Sequence, residues 1–283
     1  MTLPDDFQFS QASLQDYVDC PRRFQLRRLL RRAWPAAEAE PIMENERYLR
    51  QGAAFHRMLH QHTLGLTLEQ LSSVALDEAL LRWWRNYVEN GPTDLPPSRR
   101  AEFALSAPLG DYRLTAKYDL VAVDAERQPA VKRRGVIVDW KTSRRRPGRK
   151  WLAERLQTRV YPYLLVRAGR DLNEGKSFEP EQVEMVYWFA NFPLSPERFS
   201  YDAAQYEKDA QYLAALIAEI EGLDEDEDWP LATRQKLCNY CPYRSLCRRG
   251  RQAGAFDEME EETETDDGFD FVLNFEQIAE IEY

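Results

Sequence analysis

Hydrophobic positions along the chain follow two spacings, and their order predicts an α/β protein. Apolar residues recur every three or four positions in segments that we predict as helices: 13–32, 44–63, 67–90, 151–168 and 202–221. Shorter segments, rich in β-branched and aromatic residues, are predicted as strands: 102–107, 112–124, 135–142 and 183–190. Helices followed by strands, helix, strand and helix predict a mixed central sheet flanked by helices, with a helical N-terminal part.

The composition is that of an ordinary globular protein. Hydrophobic residues make up 43% of the 283 positions and charged residues 30%, which excludes fibrous and wholly disordered classes. No apolar run approaches the ~20 residues that a membrane span needs. The opening residues have neither the basic start nor the apolar core of a signal peptide. We therefore expect a cytoplasmic protein with no membrane partner.

Charge is distributed unevenly along the chain. Residues 257–283 hold 12 of the 48 acidic residues and none of the 38 basic ones, so residues 1–256 are close to neutral. We predict one folded domain over 1–256 and an acidic tail over 257–283 that is partly disordered.

Basic residues concentrate in two regions of that domain. Arg22–Arg32 contains six arginines and no acid, and Lys132–Lys150 contains nine basic residues against Asp139 alone. Guanidinium groups suit phosphate, so both regions are candidate contacts for a polyanion. On charge alone, solvated helix faces explain them equally well.

Two acids and a lysine lie on neighbouring predicted strands. Asp139 and Lys141 are two positions apart, so their side chains point to the same face, and such a pair suits metal-assisted hydrolysis. A hairpin-like connection would place Asp119 beside Asp139 and create a two-carboxylate site for a hard cation. The alternative for Asp119 is a turn cap or a partner for an arginine.

Three further side chains lie on predicted helices. Gln157 and Tyr161 are four positions apart on the helix after Asp139, so they share a face. His56 lies on the second predicted helix, after Gly52. As a lone pair, Gln157 and Tyr161 are more typical of surface and core positions than of catalysis. His56 and His60 are also four positions apart, but the Glu of a metalloprotease zinc motif is missing between them.

The four cysteines are spaced for a metal rather than for disulfides. Cys238, Cys241 and Cys247 form a C-x2-C-x5-C triplet, whereas Cys20 lies near the start of the chain. A chain without an export signal is not expected to carry a disulfide framework. Four cysteines including a C-x2-C are typical of structural zinc sites, and spacing alone slightly favours zinc.

The order of these motifs resembles the PD-(D/E)XK nuclease superfamily. The order is Gly-x-x-x-His, Asp, Asp-x-Lys and Gln-x-x-x-Tyr, bracketed by cysteines. Within that superfamily it is similar to the RecB-like iron–sulfur branch of AddB-type and CRISPR-associated exonucleases. The opening Ser13–Phe24 is similar to the S-x-L-x-x-Y-x-x-C-P-R-x-F motif of that branch, and the closing cysteine triplet also matches. The resemblance runs from Ser10 to about Arg249 and implies a restriction-endonuclease-like core.

The resemblance implies roles for the matched residues. The implied ligands of Mg²⁺ or Mn²⁺ are His56, Asp119, Asp139 and the backbone carbonyl of Trp140. The implied catalytic residues are Asp119, Asp139, Lys141, Gln157 and Tyr161, with Lys141 orienting the attacking water. The implied ligands of a 4Fe–4S cluster, preferred here over zinc, are Cys20, Cys238, Cys241 and Cys247. That cluster would act as a staple between the two ends of the domain. The expected DNA contacts are Arg22, Arg23, Arg27, Arg144, Arg145 and Arg146.

The implied activity is a metal-dependent deoxyribonuclease. It would be an exonuclease on single-stranded DNA or DNA ends, in repair, recombination or CRISPR-type defence, with a helicase or a CRISPR adaptation complex as partner. The alternative is a non-enzymatic iron–sulfur subunit that binds DNA ends in such a complex. Two features depart from the family pattern: a helical insert at about 64–98, and the acidic tail, for which one hypothesis is a DNA mimic that folds over the basic groove.

Overall fold

The computed structural model describes residues 3–4, 6–32, 42–73, 77–124, 133–224 and 227–250. The predicted acidic tail, 257–283, lies outside the described residues, and so does the connection 125–132 between two of the predicted strands. None of the helices in the described ranges combines the length and the apolar character that crossing a bilayer requires.

The strands form one mixed sheet in the described part of the chain. They are β1 Gln8–Ser10, β2 Ser98–Leu109, β3 Tyr112–Val123, β4 Gly135–Lys141, β5 Val183–Phe189 and β6 Glu197–Ser200. Their order is β1-β3-β4-β5-β6, and β2 pairs with β3. The β1–β3 and β4–β5 pairs are parallel, and the other pairs are antiparallel. The predicted mixed central sheet is confirmed. The prediction omitted the short strands β1 and β6 and made β2 too short.

Helices cover both faces of this sheet. They are α1 Gln11–Asp19, α2 Pro21–Phe24, α3 Ile42–Thr63, α4 Leu68–Ser72, α5 Glu78–Asn90, α6 Arg149–Glu154, α7 Leu156–Ala168 and α8 Ala203–Glu221. A π-helical turn, Gln25–Leu29, follows α2. One core layer contains Leu14 of α1, Val160 of α7 and Leu213 of α8. The layer on the other face contains Phe55 of α3 and Trp83 of α5.

Three predicted helices are each divided in the structure. The helix predicted over 13–32 is interrupted at Cys20, whose backbone is extended at φ −164° and ψ 107°, because Pro21 disfavours helical geometry in the residue before it. The helix predicted over 151–168 breaks at Arg155, where the Gln15 side chain accepts a 3.2 Å hydrogen bond from the Leu156 N–H. The helix predicted over 67–90 becomes α4 and α5.

The side chains of β3 switch between the two core layers at Asp119. Tyr118 belongs to the layer under α1, α7 and α8, and so does Val121. Leu120 belongs to the opposite layer. Strict alternation would put Tyr118 and Leu120 on the same face, so the strand reverses its two faces at the intervening residue, Asp119.

Strand β2 reverses its faces at the same level. Phe103 packs against the first layer, whereas Ala101 packs against the second. Glu102 lies between them and opposite Asp119. The strand pairing includes Ala101 and Phe103 but skips Glu102. Glu102 has φ +53°, in the left-handed region that non-glycine residues rarely adopt. This backbone turn marks the reversal of both strands.

Candidate active site

The site opens where β3 lacks a neighbour on one edge. One edge of β3 pairs with β2. The other edge pairs with β1 at Arg113–Thr115 and with β4 at Leu120–Val123. Asp119 lies in the interval between those two pairings. On β4, Asp139 follows Val138, the partner of Leu120 in the last ladder pair. The two acids therefore lie just beyond the point where β3 and β4 separate, as the predicted antiparallel connection requires.

Asp119 is held between a helix and a strand. Its Oδ1 lies 3.4 Å from His56 Nδ1 of α3, and its Oδ2 accepts a 2.9 Å hydrogen bond from the Trp140 N–H of β4. Burial alone raises the pKa of Asp119, but the charge and hydrogen bond of His56, the Trp140 N–H and the Lys141 charge outweigh it and lower that pKa below its ordinary value. Asp119 is thus held as a carboxylate. Within the described ranges its contacts are with His56 and a strand N–H, so there it neither pairs with an arginine nor caps a turn.

Asp139, Lys141 and Gln157 form a closed ring of contacts. Lys141 Nζ lies 3.1 Å from Asp139 Oδ2 and donates to Gln157 Oε1 at 3.1 Å. Gln157 Nε2 in turn donates to Asp139 Oδ1 at 2.5 Å. All three side chains are buried. The ring fixes the direction of the Lys141 ammonium, because each neighbour is itself held in place.

Tyr161 fastens α7 to the strand that carries Asp119. Its hydroxyl donates to the Lys117 carbonyl at 3.0 Å, and the Tyr118 hydroxyl donates to the Tyr161 carbonyl at 2.9 Å. The two tyrosine rings lie 4.9 Å apart. The structure therefore places Gln157 against Asp139 and Lys141, while Tyr161 contacts the neighbouring strand.

The donors at this site suit a hard divalent cation in kind. One imidazole and two carboxylates, from His56, Asp119 and Asp139, are nitrogen and oxygen ligands of the type that Mg²⁺ and Mn²⁺ accept. Among the described residues, however, no group of three or more His, Cys, Asp or Glu side chains already has the arrangement of a metal site. Both Asp139 oxygens contact Lys141 or Gln157, so a bound ion would share this carboxylate with them.

The four cysteines meet although Cys20 is distant in sequence. Cys20, Cys238, Cys241 and Cys247 line one small cavity together with Arg23, and all four thiols are free of disulfides. Burial raises the pKa of Cys238 and Cys247 above the ordinary value and that of Cys241 to about 11, so these thiols are protonated near neutral pH. Four sulfur donors around one cavity fit thiolate ligation in kind, but in the described residues they do not have the arrangement of a metal site.

Direct contacts join the N-terminal helices to the segment that carries the cysteine triplet. Gln25 Nε2 donates to the Glu227 carbonyl at 2.7 Å, and the Trp229 N–H donates to Gln25 Oε1 at 3.0 Å. The rings of Phe24 and Trp229 stack with centroids 5.8 Å apart. These contacts hold the cysteine-bearing segments together in the structure.

The N-terminal arginines are compensated by acids outside their own run. Arg23 Nε lies 2.9 Å from Asp16, and Arg27 reaches the same carboxylate at 3.4 Å. Arg22 pairs with Asp228 at 2.7 Å. Arg23 is buried against these acids, with only 13% of its side chain exposed, whereas Arg27 is 43% exposed. Ion pairing therefore occupies much of this cluster.

The arginines after β4 lie near the site. The Arg144 guanidinium lies 4.6 Å over the Tyr48 ring, Arg145 is exposed, and Arg146 pairs with Glu197. Neither the contact with Tyr48 nor the pair with Glu197 was predicted; Tyr48 is the one that lies on the helix of His56. A sequence signal for it exists, since Tyr48 precedes His56 by eight positions on α3.

Comparison with known proteins identifies the family. The model of the PD-(D/E)XK nuclease superfamily matches residues 8–248, a range that includes every candidate site residue. No curated protein matches. Among solved structures, the chain is similar to SSO0001, with 14% identity, a TM-score of 0.39 and 85% of each chain covered. It is also similar to a proposed exonuclease from Eubacterium rectale, with 11% identity and a TM-score of 0.49, covering 89% of this chain and 92% of that one. On the strength of the family match, the chain belongs to the PD-(D/E)XK nuclease superfamily.

Proposed function

We propose that this protein is a metal-dependent deoxyribonuclease that acts as an exonuclease on single-stranded DNA or DNA ends. Membership of the superfamily supports nuclease activity. The observation that carries the proposal is the ring of Asp139, Lys141 and Gln157 beside the contact of His56 with Asp119. An acid pair, a buried lysine and an imidazole at the opening between two strands suit phosphodiester hydrolysis.

His56, Asp119, Asp139 and the Trp140 carbonyl would hold Mg²⁺ or Mn²⁺. When bound, the ion would polarise the phosphodiester and lower the pKa of a coordinated water. The chain supports this role by keeping Asp119 ionised and by fixing Trp140 through its N–H.

Lys141 would orient the attacking water at its Nζ and neutralise charge that develops on the phosphate. Gln157 holds the ammonium through the 3.1 Å hydrogen bond at Oε1, and so acts on the water through Lys141. Tyr161 keeps α7 against β3 through the Lys117 carbonyl. Arg144, Arg145 and Arg146 would contact the DNA without sequence preference.

The cysteines would bind a 4Fe–4S cluster as a structural staple, in the RecB-like iron–sulfur branch. The shared cavity of the four thiols supports a four-thiolate site, and the similarity of Ser13–Phe24 to the branch motif supports iron–sulfur over zinc. Broad visible absorption of anaerobically purified protein, with iron but no zinc, is the expected result; a colourless zinc protein would contradict it. That same similarity supports a role in repair, recombination or CRISPR-type defence beside a helicase or an adaptation complex.

Digestion of end-labelled DNA tests the activity. Wild type is incubated with single- and double-stranded substrates and Mn²⁺, beside Asp139→Ala and Lys141→Ala. Asp124→Ala is the matched control, because Asp124 pairs with Arg134 beyond the far end of β3. We expect stepwise degradation by wild type and control and none by the two site variants.

Two results would contradict the proposal. Equal degradation by all four proteins would place the activity elsewhere. Wild type that binds DNA but leaves it intact would favour the non-enzymatic DNA-end-binding subunit.

A further inference from the structure

A groove outside the contacts described above lies at the carboxyl ends of β4 and β5. Its walls come from α3, α5 and the segments that follow those two strands. It encloses about 480 Å³, within the range of roughly 300–1,000 Å³ that is usual for ligand clefts. We call it the arginine–aromatic groove, and it is lined by Tyr48, Gln51, Ala79, Arg82, Arg144, Asn191 and Phe192.

The lining combines positive charge with aromatic rings. Among the described residues that line it, the charged members are Arg82 and Arg144, and none is a carboxylate. The Arg144 guanidinium lies 4.6 Å from the centre of the Tyr48 ring. That ring is held in place, since its hydroxyl donates to the Thr142 carbonyl and its face meets Trp83 nearly at right angles, 5.6 Å away. A guanidinium held over a fixed ring is a positively charged surface against which a base can lie.

The other wall presents a second cation and a second ring. Arg82 is exposed on α5, and its Nη2 lies 3.4 Å from Asn191 Oδ1. Asn191 is fixed, because Trp83 Nε1 donates to the same oxygen at 2.8 Å. Phe192 follows directly along the chain and is only partly buried.

The groove is physically joined to the candidate active site. Asn191 Nδ2 donates to the Thr142 carbonyl at 2.8 Å, and Thr142 directly follows Lys141. On the opposite wall, Tyr48 precedes His56 on α3 by eight positions, about 12 Å along a helix. A strand lying in the groove would therefore continue toward Lys141 and His56.

We propose that the arginine–aromatic groove binds unpaired nucleotides of a single DNA strand next to the scissile phosphate. Bases would stack on the Arg144 guanidinium backed by Tyr48, and on Phe192, while Arg82 contacts a phosphate. Guanidinium planes and aromatic rings both act as stacking platforms for exposed base faces, which a duplex does not offer. This inference rests on the proposed nuclease function and assigns its substrate class.

Binding without cleavage tests the groove. Affinity of the full-length protein for a fluorescein-labelled oligothymidylate and for a blunt duplex is measured by anisotropy in EDTA, over a series of salt concentrations. The variants are Arg82→Ala, which removes an exposed charge, and Phe192→Leu, which keeps apolar packing but removes the ring. Arg170→Ala is the matched control, since Arg170 is exposed after α7, toward the amino ends of β4 and β5.

Each groove variant is expected to bind the oligothymidylate about ten-fold more weakly. Arg82→Ala should also reduce the slope of log affinity against log salt by about 0.7, the effect of one lost phosphate contact, while Phe192→Leu leaves the slope unchanged. Duplex affinity, and both affinities of Arg170→Ala, should match wild type.

Two results would overturn the assignment: wild type that binds duplex as tightly as the single strand, or groove variants that bind the single strand like wild type. Failure of the proposed function would look different. Wild type would then bind the single strand through the groove, yet leave it intact with Mn²⁺.

Discussion

The buried carboxylate of Asp16 is predicted to be a main stabiliser of the cysteine-bearing end of the domain. Its side chain is 6% exposed, and it meets the guanidinium groups of Arg23 and Arg28, each at 2.9 Å, and of Arg27 at 3.4 Å. Asp16→Asn keeps the shape but removes the charge, leaving three cations close together. Water cannot replace the lost contact of Arg23, because the Arg23 side chain is itself buried.

Breaking a buried ion pair by removing one partner costs about 3–5 kcal/mol. Arg23 keeps its 2.8 Å contact with Asp19, so we expect the lower end, about 3 kcal/mol for Asp16→Asn. Asp228→Asn is the matched control, since Asp228 pairs with Arg22 in the same cluster but is 86% exposed. An exposed pair contributes about 0–1 kcal/mol, so this variant should unfold almost like wild type.

Urea denaturation, followed by tryptophan fluorescence, measures both free energies of unfolding. Trp229 stacks on Phe24 beside this network and should report its loss. A cost below about 1 kcal/mol for Asp16→Asn, or equal costs for both variants, would refute the argument that burial makes this network strong.

Three further predictions concern the site and its support. Gln157→Leu should slow Mn²⁺-dependent cleavage by about 10–100-fold through loss of Lys141 orientation, with DNA affinity unchanged; an unchanged single-turnover rate would contradict this. Glu102→Val should cost about 1–3 kcal/mol in urea denaturation, because a β-branched residue resists the left-handed backbone, and should lower cleavage. Glu102→Gly, which accepts that backbone, should cleave like wild type. If both variants lose the same cleavage activity, the effect belongs instead to the ion pair of Glu102 with Lys117. Cys20→Ser should abolish bound metal in elemental analysis and lower the melting temperature, and full metal content would contradict a four-cysteine site.

The strongest local patterns in the sequence predicted the elements that carry the site. The segment predicted as a strand over 135–142 has β-branched residues on both faces, and β4 covers all of it except its last residue. Two-residue spacing then suffices to place Asp139 and Lys141 together. The prediction of this segment as a strand is confirmed, because local propensity and burial favour the same structure.

The errors arise where distant contacts decide the structure. The break at Arg155 depends on Gln15, which is far away in sequence, so helical periodicity alone continues through it. By contrast, the break at Cys20 was predictable from Pro21. The short β1 has three residues, too few for a recognisable pattern. No sequence rule places Glu102 in the left-handed region, since its conformation follows from the reversal of two paired strands.

Charge along the chain was also a partial guide. The run Arg22–Arg32 contains no acid, and yet Asp16 of the preceding helix forms ion pairs with Arg23 and Arg28. Likewise, the arginine–aromatic groove is assembled from four separate segments. Only the fold brings them together, so no local motif could have indicated the groove.

In the proposed mechanism, Asp119 and Asp139 bind the metal ion, whereas Lys141 orients the attacking water. Mn²⁺ titration calorimetry and single-turnover cleavage, measured on the same preparations of wild type, Asp119→Asn and Lys141→Met, test it most directly. We expect Asp119→Asn to lose both Mn²⁺ binding and cleavage, and Lys141→Met to bind Mn²⁺ like wild type but leave DNA intact. Cleavage by Lys141→Met at the wild-type rate, or Mn²⁺ binding unaffected by Asp119→Asn, would contradict the account.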